Sequence, residues 1–181
     1  MELQSLADST IADFLEVVPF ERWARLFHNI NWSEDCDGKE IQFDAEVIER
    51  TDDEILIFVG ASYDPIDVEK RIVYPQVNVT SSLVVSGKPI AKRLQIHQLM
   101  EIAINEFLAY FPAARWRSMI EPMQWEEVVG ETMFSFVAQP TVAEDDRVQV
   151  EVRATTSKNG DSTDVDDSSG GSLTRSFWVS G

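Results

Sequence analysis

Only one of the 181 residues is cysteine and only two are histidine. A lone Cys36 forms no intrachain disulfide, and it builds neither a four-thiolate zinc site nor a Cys-x-x-Cys redox pair. His28 and His97 show no HxxxH or HExxH spacing, so no histidine metal site is read; a structural or surface role is the simpler account of both. Basic residues are also scarce. Fifteen Lys and Arg stand against thirty-two Asp and Glu, and the net charge of −17 repels phosphate backbones instead of releasing their counterions, so specific nucleic-acid binding is not expected. Long apolar runs are missing as well. The stretch Ile55 to Val59 falls far short of the roughly 18–20 residues of a membrane-spanning helix. The opening MELQSLADST lacks the basic-then-apolar order of a secretory signal, so a chain made in a cytoplasm and not bound to membrane is expected.

Catalytic signatures are equally absent. There is no GxSxG, Walker A, GxGxxG or Cys–His arrangement, and neighbours such as Glu126 and Glu127 are too common in so acidic a chain to argue acid–base chemistry. The run Asp35-Cys36-Asp37-Gly38-Lys39-Glu40 has part of the carboxylate spacing of a calcium loop, but a strand pattern begins at Ile41 and the remaining oxygen ligands are missing. Asp161, Asp164, Asp166 and Asp167 lie in a Gly/Ser-rich stretch where acids keep a segment soluble. The expectation is a protein that is not an enzyme and holds no cofactor and no metal.

What is present is a foldable core: apolar residues make up 44% of the chain. Thr10 and Asp13 fit a capping pattern opening a short helix in TIADFLEVV, and Pro19 opens a second, PFERWARLFHNI, with Trp23, Leu26, Phe27 and Ile30 on one stripe. Residues 31–37 (NWSEDCD), closed by Gly38, read as a turn. Alternation then predicts strands at 41–47, 55–59 and 73–85. Residues 90–111 read as one long helix with Ile96, Met100, Ala103, Ile104, Phe107 and Phe111 on a face, ended by Pro112. The segment ARWRSMIEPMQW reads as loop, followed by strands at 132–138 and 148–154. No internal repeat is read. The order argues for an α+β domain over 1–156, a mostly antiparallel sheet with one long helix packed across a face and two short N-terminal helices. Residues 157–172 are almost entirely Ser, Thr, Asn, Gly and Asp, so 157–181 is either a polar tether carrying an aromatic arm or a long loop before a final strand.

Charge is unevenly placed. Residues 31–54 hold ten acids against two bases, while 88–117 hold five bases against two acids. The two stretches are either solvated faces or complementary surfaces through which copies dock head to tail. Arg115 and Arg117 flank Trp116, a pairing enriched at interface anchors, and a tether of about 15 residues gives Phe177 and Trp178 a reach of roughly 20 Å. These five residues are the candidate subunit or partner interface, with packing of Trp116 into its own core as the alternative.

The alternating strand PQVNVTSSLVV feeding PIAKRLQIHQLMEIAINEFL, then strands around ETMFSFVAQ and RVQVEVRAT, resembles the small tail-terminator and tail-completion proteins of tailed bacteriophages. The resemblance covers about residues 40–156 and rests on element order. It implies a virion neck or tail subunit: a homo-oligomeric ring, commonly a hexamer, that caps the tail tube, meets the head connector and other tail proteins, and lets DNA slide through an acidic lumen. The alternative is an acidic cytoplasmic adaptor or inhibitor that binds a basic partner.

Overall fold

The computed structural model describes residues 2–67, 69–73, 75–88, 94–144, 146–158 and 172–181. Every stretch whose apolar residues alternate is a strand. Helix α1 (Leu3–Asp13) and a 3-10 turn at Leu15–Val17 precede α2 (Phe20–Arg25); then come β1 (Ile30–Cys36), β2 (Lys39–Arg50), β3 (Glu54–Tyr63), a small β4 (Ile66–Asp67) and β5 (Ile72–Val73) hairpin, and β6 (Val77–Ser86). Next are α3 (Ile96–Glu106), a 3-10 turn at Leu108–Tyr110, α4 (Ala113–Ser118), β7 (Met119–Val129), β8 (Thr132–Ala143), β9 (Arg147–Lys158) and β10 (Ser172–Ser180). Eight strands form one antiparallel sheet in the order β10-β9-β8-β7-β1-β2-β3-β6. Inward residues such as Ile41, Phe43, Ala45, Val148, Val150 and Val152 are buried beneath the helices. The residues between them face outward on a side that no helix covers among the described residues.

The α+β reading with a mostly antiparallel sheet holds, but the long helix does not. α3 ends at Glu106, Phe107 leaves helical geometry at φ −146°, and the chain makes a 3-10 turn before Pro112. Proline disfavours a helical residue before it, and Phe111 sits at ψ 120°, so the apolar stripe through 111 belongs to a broken rod. Residues 89–93, the expected start of that helix, lie outside the described residues. The supposed loop ARWRSMIEPMQW is α4 and β7, and of the supposed turn at 31–37 only Asp37, with Gly38, is a turn, residues 31–36 belonging to β1. The polar letters of β1 concealed it: Glu34 points inward and is buried in an ion pair, which an apolar/polar alternation counts as outward. Helix α2 stops at Arg25, so Ile30 belongs to β1 and Phe27 is exposed. Thr10 caps nothing; it sits buried in the last turn of α1, donating to the Leu6 carbonyl.

The chain is a repeat, contrary to the sequence reading. Moving along the chain by one constant shift takes Leu3–Asp13 onto Ile96–Glu106, Leu15–Val17 onto Leu108–Tyr110, Phe20–Arg25 onto Ala113–Ser118, Lys39–Arg50 onto Thr132–Ala143, and Glu54 onto Arg147. The β-bulge between Val47 and Glu49 reappears between Pro140 and Val142. Identical residues fall at matched places: Leu6/Leu99, Phe14/Phe107, Leu15/Leu108, Pro19/Pro112, Arg22/Arg115, Trp23/Trp116, Trp32/Trp125, Glu34/Glu127, Phe43/Phe136 and Ala61/Ala154. Even ring geometry repeats, with Trp32 stacked on Phe43 (5.3 Å) and Trp125 on Phe136 (4.9 Å). The units meet where β1 pairs antiparallel with β7. Asn31 there lies opposite its own counterpart Gln124, so an approximate twofold axis passes between them. One chain thus holds the arrangement of a symmetric dimer with a continuous sheet.

Candidate functional site: a cleft on the open face

Two of the five proposed interface residues are internal. Trp116 is fully buried, in edge contact with Phe111 at 4.9 Å, and Arg115 is 11% exposed with its guanidinium 2.7 Å from Glu34. Neither is available to a second molecule. They belong to a network that crosses the twofold. Arg115 of the second unit donates to Glu34 and Thr10 of the first, and Arg22 of the first donates to Glu127 and to the Leu99 carbonyl of the second. Each carboxylate also accepts an indole N–H from the tryptophan two residues earlier, Trp32 at 2.7 Å and Trp125 at 3.0 Å. Desolvation pushes the pKa of Arg22 down while Glu127 holds it up. Buried charges tolerate this only when paired, so the network is a clamp between units and offers no reactive group to solvent.

Of the other three proposed residues, Arg117 and Trp178 are exposed, while Phe177 is partly buried and packs against the core. Phe177 and Trp178 belong to β10, which pairs with β9 along its length, so the segment is the final strand of its own sheet. Trp178 stays 40% exposed under the Arg147 guanidinium, 4.2 Å from the ring centre. Arg117 is exposed and donates to the Glu144 carbonyl at 3.1 Å. Most of the proposed tether, 159–171, lies outside the described residues, and so do Asp161, Asp164, Asp166 and Asp167. Among the described residues no three His, Cys, Asp or Glu side chains gather to hold a metal, and no helix is long and apolar enough to cross a membrane.

The feature that sequence reasoning missed is a cleft of about 610 Å³ on the open face of the first unit. Gln42, Asp44 and Glu46 come from β2, Phe58, Gly60 and Ser62 from β3, and Asn78 and Thr80 from β6, with Asn31 and Glu121 at the inner end. These residues share the face because strand side chains alternate. Asp44 lies directly opposite Gly60, which in turn lies opposite Thr80. A Cβ at position 60 would stand 2.5 Å from Asp44 Oδ1, so the carboxylate lies over the bare glycine backbone. No hydrogen bond or ion pair reaches Asp44 or Glu46 among the described residues. Burial, and then the charge of Glu46, push the Asp44 pKa up. The site is therefore acidic, half-buried and without a cation of its own.

The second unit carries different groups on the matched face, with Val137 and Gln139 at the places of Asp44 and Glu46. At the place of Gly60 stands Arg153, opposite Val137, which takes the place of Asp44. The Arg153 guanidinium reaches Glu151, its neighbour on the same face, at 3.6 Å. One unit thus carries its own cation, and the other has a glycine and two carboxylates with no ion-pair partner among the described residues. The signal in the sequence was available as FLEVVPFERW against FLAYFPAARW, whose alignment places Gly60 on Arg153. No family model matches the chain, and a search of curated proteins finds no match.

Proposed function

We propose that this protein is a non-catalytic binding protein whose open face takes a basic partner, with an arginine or lysine side chain seated in the Gly60 cleft. The observation that carries this is the difference between matched positions: Arg153 occupies in the second unit the place that Gly60 leaves vacant beside Asp44 and Glu46. A carboxylate pair with no internal counter-ion favours an incoming cation, and a half-excluded site makes a charge-assisted hydrogen bond stronger than it is in open water. The net charge of −17 adds long-range attraction for a basic protein and speeds encounter. The test is fluorescence anisotropy of a labelled arginine-containing peptide. Binding that weakens at least tenfold in Asp44→Asn/Glu46→Gln and falls with added salt is the expected result; equal binding by wild type and variant would contradict it.

A second reading, the ring subunit of a phage tail or neck, is supported by one observation. Among the described residues the sheet is open at both ends, β6 and β10, and these run antiparallel to one another, so copies placed edge to edge continue the same strand order. Light scattering with mass determination tests it: a closed oligomer supports this reading, and a monomer at every concentration argues against it.

A further inference from the structure

The geometry points to strand addition on β6: a basic partner segment docks there as a ninth strand of the sheet, and its arginine or lysine enters the Gly60 cleft. This rests on the reading above that the partner is basic. β6 is the end strand, and no strand pairs with its outer side among the described residues. Natural edges are usually blunted by charge, proline or shortness. Val77–Ser86 has ten residues and not one Lys, Arg, Asp, Glu or Pro, whereas β2, inside the sheet, carries Lys39, Glu40, Asp44, Glu46, Glu49 and Arg50. Of the two edge strands, β10 carries Arg175 and β6 carries no charge at all. An unprotected edge of this kind suits β-augmentation, in which main-chain hydrogen bonds give affinity and alternate side chains give specificity.

The choice of a basic segment over a second copy follows from charge. Two copies would each bring −17 to the contact, while the arginine or lysine of a cationic strand reaches across Thr80 to the Asp44 carboxylate, which lies over Gly60 of β3, the strand next to the edge. The face also specifies spacing. Thr80 lies opposite Gly60, and Val84, 57% exposed, lies opposite Leu56. A partner strand that places its cation across Thr80 therefore sets the residue four positions away beside Val84, where an apolar side chain belongs.

The test uses the whole protein and a blocked nine-residue threonine/valine peptide with one arginine and, four residues on, one leucine. Two versions carry N-methyl groups on complementary alternate amides. Expected is binding that one N-methyl set weakens tenfold or more and the other leaves unchanged, with slowed amide exchange within 77–86. Equal effects of the two sets, no binding, or slowed exchange in 77–86 that follows protein concentration without peptide would overturn strand addition, the last in favour of a second copy. The two readings fail separately. A norleucine-for-arginine peptide that still protects 77–86 keeps strand addition and removes the cleft; arginine-dependent binding insensitive to N-methylation keeps the cleft and removes strand addition.

Discussion

Gly60 and Arg153 occupy the same place in the two units, yet one leaves room for the Asp44 carboxylate over its bare backbone and the other reaches back to Glu151. Beneath them the units share their main contacts: Trp32 and Trp125 stack on matched phenylalanines, and Glu34 and Glu127 accept matched indole and guanidinium donors. The inward face is constrained by packing, where a methylene gained or lost is felt, and so it stays alike. The outward face has no such constraint and has diverged. What the difference teaches is that the inward residues account for the fold, while function is to be sought where matched outward residues disagree.

The comparison breaks most visibly in the clamp. Glu127 is served by two arginines, Arg22 and Arg25, whereas Glu34 has Arg115 and, at the position matching Arg25, only the hydroxyl of Ser118. Arg115→Met should therefore cost about 3–5 kcal/mol, the loss typical of stranding one buried charge. Arg22→Met should cost clearly less, because Arg25 still neutralises Glu127. Urea unfolding measures both, and equal losses would show that the flanking groups do not matter.

A second break concerns binding. Gly60→Arg gives the first unit the second unit's own cation and should weaken an arginine peptide at least tenfold in anisotropy titrations while the melting temperature changes little. Arg153→Gly combined with Val137→Asp should create weak binding in the second unit.

A smaller effect sharpens the clamp further. Thr10 bridges Arg115 and the Leu6 carbonyl, while its counterpart Ala103 has no hydroxyl and Arg22 reaches the Leu99 carbonyl directly at 3.1 Å. Thr10→Ala should cost about 1 kcal/mol, one hydrogen bond's net worth, and denaturant midpoints would show it.

The smallest effect is expected at Asp44. Its folded pKa lies above the unfolded value, so the folded state holds the extra proton and stability falls as pH rises from the unfolded pKa through the raised folded one. Asp44→Asn should be slightly more stable than wild type above that window and indistinguishable from it below the unfolded pKa. Melting curves across acidic and neutral pH check the sign. A cationic peptide should bind wild type more tightly as pH climbs through the same window.

Much of the sheet was legible because Ile41, Phe43, Ala45 and Val47 alternate with polar residues, as do Val148 to Ala154. β1 and β7 were not, because their inward positions include Glu34 and Glu127, carboxylates whose partners lie far away in the sequence. Of the five bases read between 88 and 117, Arg115 is consumed internally by Glu34. The repeat escaped because its identities are scattered through loop-like stretches and only the Phe-Leu and Arg-Trp pairs, joined by a proline, lie close together. The cleft was not legible at all without the repeat: Gly60 in an apolar strand says little until Arg153 is seen to stand in its place.

The central claim is that one unit is open to a cation and the other is already filled. Backbone amide chemical-shift mapping with a blocked arginine amide as ligand tests it most directly. Shifts concentrated at residues 42–46, 58–62 and 78–80, with none at the matched residues 135–139 and 151–155, are the expected result. Shifts spread equally over both units, or absent from the first, would contradict it.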